Sequence, residues 1–259
     1  MTDSEQVHNM KIRQIALVTE DLVTVRDQLF FLLGLDTAYE DPDVALFGLR
    51  NFVATIGNTF LEVVSPVQDG TTAGRLLERR GGDGGYMVIV QVEDFDAARN
   101  RVRQHGIRTA WQHEDNRLRS MHLHPKDVPG ALPSMDAMDK PEEWYYAGPD
   151  WRQRAAKFAT AIVAAQVQVL DPAYAAGRWA AAYGTDYTVR DGQLVIAIGD
   201  TEVRFAPVED GRGEGLQAID IATDDISGML ERAGELRLEH TDNRVIVCGT
   251  LINFVSGNI

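Results

Sequence analysis

The sequence predicts an α+β protein made of four copies of one unit, in which a strand leads into a helix and then into further short strands. Two observations predict it. A strand of alternating residues that runs into an acidic turn occurs four times. Each occurrence is followed by helical spacing and then by short apolar runs broken by turn residues. This order places helices on one face of each sheet. The other face must close on a second sheet, a ligand, or both.

The clearest copy is Gly84–Asp96. Val88, Val90 and Val92 alternate with Met87, Ile89 and Gln91, the two-residue period of a strand with two different faces. Asp94 is placed to cap a helix that begins at Phe95. The same pattern opens at Gln14–Asp21, at Ala164–Asp171 and at Gln217–Asp224.

Taken in order, the first ten residues are polar and expected to be loose. A strand is expected over Lys11–Thr19. Leu22, Val25, Leu29, Leu32 and Leu33 share one helical face, which Gly34 closes. Strands follow at Val44–Leu49, Phe52–Ile56 and Thr59–Val64, then a short helix over Asp69–Arg80 and a flexible link at Gly81–Gly85. The second copy has its helix at Asp96–His105 and strands at Thr109–Asp115, Arg117–His124 and Gly130–Ala137. The segment Asp139–Trp151 combines two Pro, a Gly and four aromatics, and reads as a joint whose aromatics staple it to a neighbouring face. Beyond it come a strand within Phe158–Leu170, a helix over Pro172–Tyr183, and strands at Tyr187–Val189, Gln193–Ile198 and Thr201–Ala206. The last copy has the Gln217–Ala222 strand, the Ile226–Ala233 helix, and strands near Arg237–His240, Val245–Cys248 and Leu251–Val255.

With 259 residues the chain can bury one large core or two modest ones. Its formal net charge is −14, so there is no basic excess to bind nucleic acid or an anionic membrane. The N-terminus lacks the basic start and apolar run of a signal peptide, and no apolar stretch is long enough to span a membrane. One cysteine, Cys248 in an apolar run, excludes an internal disulfide and fits a reducing, cytoplasmic location. It reads as a core residue rather than a nucleophile.

The fourfold pattern resembles the vicinal-oxygen-chelate superfamily of glyoxalase, bleomycin-resistance, methylmalonyl-CoA epimerase and extradiol dioxygenase proteins. The best local match is His124-Pro125-Lys126, with Gly130 before a strand, which looks like a turn of the epimerase-like members. The resemblance implies βαβββ modules paired into cups. It implies a first glyoxalase-like domain over 1–138, a linker over 139–156 and a second, degenerate domain over 157–259. It also implies a metal held by the first and last strand of each module. Those positions fall on Gln14, Glu62, Met87 and Ser134. A thioether and a neutral hydroxyl suit hard divalent ions poorly, so no metal and no other cofactor is expected. The corresponding residues of the second half, Ala164, Val203, Gln217 and Asn253, are poorer still. In the last module the motif register turns Gln217 into the cup, whereas alternation turns Asp220 into it.

Strand alternation sends Ile15, Leu17, Leu61 and Val63 to the helix side and Gln14, Ala16, Glu62, Met87, Ile89 and Gln91 to the cup. Glu62, flanked by Phe60 and Val64, would be desolvated, which raises a carboxyl pKa toward the range useful for proton transfer. It reads either as a general base or as an acid hydrogen-bonded to Gln14. His122 and His124 point the same way and read as assisting groups or as structural histidines. Trp111 and His113 form a similar pair on a neighbouring strand. Arg119, with Arg117 and Lys126, reads as an anion clamp or as solvated surface.

Two functions follow. The first is a metal-independent isomerase, epimerase or lyase that moves a proton next to a carbonyl. Glu62, His124 and His122 would be catalytic, and Gln14, Met87, Gln91, Trp111, His113, Ser134 and Arg119 would contact substrate. The second is a sequestering protein of the bleomycin-resistance type. Either takes a small molecule as its partner, and a homodimer is expected.

Overall fold

A computed structural model describes residues 10–257. The polar N-terminus therefore lies outside the described residues, except for Met10, which already belongs to the first strand. The first module is β1 (Met10–Val18), α1 (Leu22–Leu33), β2 (Leu49–Ile56) and β3 (Thr59–Pro66), followed by α2 (Thr72–Arg80). The second is β4 (Gly84–Val92), α3 (Phe95–Gln104), β5 (Thr109–Glu114), β6 (Leu118–Leu123) and β7 (Leu132–Met138). The third is β8 (Ala161–Val169), α4 (Pro172–Tyr183), β9 (Tyr187–Arg190), β10 (Gln193–Ile198) and β11 (Thr201–Pro207). The fourth is β12 (Gly215–Thr223), α5 (Ile226–Glu235), β13 (His240–Thr241), β14 (Arg244–Val247) and β15 (Thr250–Ser256). The fold is α+β, as the repeat predicts.

Each module opens in the same way because the same chemistry starts its helix. Asp21, Asp94, Asp171 and Asp225 each accept a hydrogen bond from the backbone N–H three residues on. That bond satisfies a donor the first turn leaves open and contributes about 1 kcal/mol at each end. In the fourth copy the cap is Asp225, one residue beyond the expected Asp224. The apolar face of α1 is buried at the five positions its spacing selects, and Gly34 closes the helix in the left-handed region at φ 69°.

In each module the first strand lies parallel to the last, which the intervening helix permits, and the later strands run antiparallel. β1 lies on β3, β4 on β7, β8 on β11 and β12 on β15. Three expectations fail locally; one is the strand near Arg237–His240, which is found only at His240–Thr241. Val44–Leu49 is not a strand, because Asp41 accepts from the Asp43 N–H and Pro42 sits at the first helical position, so Pro42–Phe47 winds into a 3-10 turn. Gly84 and Gly85 belong to β4 rather than to a flexible link.

Contacts gather the chain into two compact units. One holds Met87–Tyr145 and Ala164–Leu216, with the start of β1; the other holds Gln14–Tyr86, Tyr146–Val163 and Gln217–Ile259. This grouping differs from the expected division at 1–138, 139–156 and 157–259. The first unit joins the second and third modules, and α3 packs on α4 within it. Trp179 of α4 is fully buried there and donates its indole N–H to Pro129 O at 2.8 Å. The other unit joins the first and fourth modules, and α1 packs on α5. The joint aromatics are anchored, as expected: Trp144 and Trp151 are buried, and Trp151 meets Phe60 edge to face at 5.1 Å in the unit of the first module. Cys248 is a buried free thiol whose Sγ lies 3.3 Å from Val18 O, which agrees with its reading as core.

Candidate active site

The site is built on β1, β2 and β3. Parallel pairing sets Ala16 opposite Glu62, and antiparallel pairing sets Val53 opposite Glu62. Gln14 and Asn51, each two residues from those partners, project from the same face as the carboxylate. Glu62, Gln14 and Asn51 are all buried. Gln14 Nε2 donates to Glu62 Oε2 at 2.9 Å, and Asn51 Nδ2 donates to Glu62 Oε1 at 2.6 Å. Burial pushes the Glu62 carboxyl up to about 7; Asp41 adds to the rise, and the Asn51 and Gln14 hydrogen bonds oppose it. Tyr86, in the same unit, is pushed up to about 12 by burial and by the charge of Glu62. The arrangement is a desolvated carboxyl, fixed in direction, that exchanges a proton near neutral pH. The contact with Gln14 expected from the sequence is present, and burial shifts the carboxyl upward. Asn51 was not anticipated. Its signal was a polar amide within a strand, where Asn is uncommon.

Every other candidate belongs to the unit of the second and third modules. β6 brings His122 beside Ser134 of β7 and Trp111 of β5. Trp111 lies 4.6 Å from His122 between ring centroids and stacks on His113 at 6.0 Å with planes 10° apart. Desolvation pushes His122 down to about 4, so its imidazole is neutral at pH 7. His113 is exposed and pairs with Asp115 at 3.3 Å. Met87 and Ser134 are buried, and the Ser134 hydroxyl donates to buried Asp136.

His124 does not share the strand of His122. It lies beyond β6, and its Nδ1 accepts from the Lys126 backbone N–H at 3.2 Å while its carbonyl accepts from Asp127 and Val128. The His-Pro-Lys motif is thus a self-bonded turn. Arg108 grips the Asp127 carboxylate with two nitrogens, and Arg178 Nε donates to Asp127 O at 2.8 Å. Arg119 is not a spare anion clamp. It donates to both oxygens of Asp96 and to Glu114, and this holds the Asp96 carboxyl down at about 2. A cleft of about 530 Å³ runs past these groups, lined by Asp94, Asp96, Asp115, Arg117 and Arg119 among others. Gln91 is buried and donates to Pro141 O at 2.7 Å.

In the fourth module Asn253 donates to Asp220 at 2.7 Å across adjacent strands, while Ile219 and Ile221 are wholly buried. The alternating register therefore holds there, and the motif register does not.

The family metal does not fit the residues present. The two oxygens of Glu62 are already engaged by amide N–H groups, Met87 offers a soft thioether, and Ser134 spends its proton on Asp136. Among the described residues no three His, Cys, Asp or Glu side chains gather as a metal-binding group. Among them, too, no helix is long and apolar enough to cross a membrane.

The fold is that of the vicinal-oxygen-chelate superfamily, as the sequence resemblance implied. The chain is 26% identical to the ethylmalonyl-CoA/methylmalonyl-CoA epimerase of Cereibacter sphaeroides over 132 residues, which are 49% of this chain and 96% of that relative. Its structure is similar to a variant of 4-hydroxymandelate synthase from Streptomyces coelicolor, with a TM-score of 0.70 and 17% identity over 91% of this chain and 78% of the other. A hypothetical protein from Staphylococcus aureus matches with a TM-score of 0.67 and 11% identity, over 95% of this chain and 99% of that one. No family profile matches the chain.

Proposed function

We propose that the protein is a glyoxalase-superfamily enzyme that shifts a proton at the carbon next to a carbonyl of a small organic substrate, without a metal. Glu62 is the base. The observation that carries the reading is its state: a buried carboxyl with a pKa near 7, aimed by two amides. In its ionised form it accepts the proton of an acidic C–H, and in its neutral form it returns that proton, to the same carbon or to a neighbouring one. A proton delivered to the opposite face of the original carbon gives epimerisation, which requires that the planar enolate turn its other face to Glu62 or take a proton from solvent on that side; delivery to a neighbouring carbon gives isomerisation. The similarity to an epimerase named for CoA thioesters supports a substrate whose C–H is acidified by an adjacent carbonyl. His122 and His124 lie in the other unit and are assigned no step.

The test is hydrogen exchange. Incubation of candidate acyl thioesters with the protein in D₂O should incorporate deuterium at the α-carbon, and Glu62→Gln should abolish the incorporation. Incorporation unchanged in that variant would remove Glu62 from the mechanism. The row in which Trp111 stacks on His113 and meets His122 at a tilt favours a second reading, sequestration of a planar ligand. Tight binding of an aromatic compound that leaves it chemically unchanged, with no exchange on any thioester, would establish that reading instead.

A further inference from the structure

We infer that Asn51 is a positioning residue for Glu62, and that it ties the Asp41–Phe47 segment to the carboxyl. This rests on the reading of Glu62 as the base. Asn51 is buried on β2, beside the strand that carries Glu62. Its two amide ends do different work. Asn51 Oδ1 accepts from the Asp41 backbone N–H at 3.0 Å, and Asn51 Nδ2 donates to Glu62 Oε1 at 2.6 Å. A backbone N–H can only donate, so the Asp41 contact forces the carbonyl end of the amide outward and leaves the NH₂ end facing the carboxyl. Gln14 fixes the second carboxyl oxygen. The carboxyl plane is therefore held at both edges, and one of those edges is set by the position of the Asp41 backbone.

Asp41 itself begins the 3-10 turn that carries Leu46, which is 77% exposed, and Phe47. The charged group acting on Glu62 is Asp41, whose own carboxyl is raised by burial, and the charge of Glu62 in turn raises Tyr86. A movement of the turn shifts the Asp41 N–H, turns the Asn51 amide and changes the donor that Glu62 feels. The base is then most strongly steered when the turn is in the arrangement seen here.

The experiment reads the carboxyl directly, with no substrate. Full-length protein labelled with ¹³C at glutamate carboxyls is titrated by NMR, and the Glu62 signal is assigned by its loss in Glu62→Gln. The Asn51 donor holds the carboxyl down, so Asn51→Leu should move the Glu62 midpoint above about 7. If the leucine variant does not fold, Asn51→Asp keeps the volume and the acceptor for Asp41 N–H. It should turn one midpoint into two, with the second proton lost above the wild-type value, as two carboxyls sharing a site require. A Glu62 midpoint unchanged in whichever of the two variants folds would overturn the inference, because loss of the Asn51 donor must raise the carboxyl. Shifted midpoints together with full activity in Glu62→Gln would instead sink the base and leave the clamp standing.

Discussion

Gln14 reaches Glu62 from the neighbouring parallel strand, its side-chain nitrogen 2.9 Å from Oε2 although its own backbone partner is Phe60. The contact is diagonal, so it depends on a long amide at position 14 and a long acid at position 62. Glu62→Gln keeps that reach and removes only the proton acceptor. The variant should bind substrate with nearly unchanged affinity while turnover falls by about 10²–10⁴-fold, the range of a general base. In the wild type kcat/KM should rise with pH through about 7, as Glu62 ionises, and then level off. A flat profile across that range, measured on a substrate for which proton removal limits the rate, would contradict the assignment.

Stability should carry the opposite pH signature. Native Glu62 keeps its proton to about 7, against an ordinary value of 4.5. Between those values the folded chain binds more protons at this site than the unfolded chain, so its contribution to stability falls as pH rises. Above pH 7 the full penalty is present, about 3 kcal/mol at most. Glu62→Gln should therefore be more stable than wild type at pH 8 and should lose that advantage toward pH 5. Urea melts at the two pH values check this; an equal difference at both would mean that burial does not shift the carboxyl.

Metal content is a separate test. Protein dialysed against chelator-free buffer should hold no stoichiometric Zn, Fe, Mn or Ni, because the two Glu62 oxygens are engaged and Met87 and Ser134 are poor ligands for hard ions. One tightly bound ion per chain, lost in Glu62→Gln, would reverse the metal-independent reading.

The helix repeats were legible because their signals are local. An aspartate cap, one apolar face and a closing glycine placed α1 and α4 at their observed limits. Glu62 was legible for a related reason, since strand alternation alone turns it away from the helix side. Asn51 was not, because its importance depends on which strand pairs with which. The placement of His124 on the strand of His122 failed for the converse reason: the residues after Leu123 form a turn in which the histidine Nδ1 accepts a backbone N–H, which no period reveals. The grouping of modules was also out of reach, because every module opens with the same pattern and nothing local says which copies pack together.

The turn that follows His124 has its own prediction. Trp179 fills the space against it and donates to Pro129 O, with no exposed surface. Trp179→Ala should cost about 3–5 kcal/mol through the cavity and the lost donor. Because this contact lies in the unit that lacks Glu62, the Glu62 carboxyl should titrate unchanged in whatever fraction remains folded. Thermal melts and the same ¹³C signal would show it; a loss below about 1 kcal/mol would mean that the turn is not held by the indole.

The assembly of units from separated stretches has a consequence for synthesis. The unit that carries Glu62 includes α1 near the start of the chain and Thr250–Ser256 near its end. A nascent chain that has displayed every residue touching the carboxyl still lacks the last strand of that unit. The base is encoded first and housed last, so this half of the protein can finish folding only after Thr250–Ser256 has been made and has emerged.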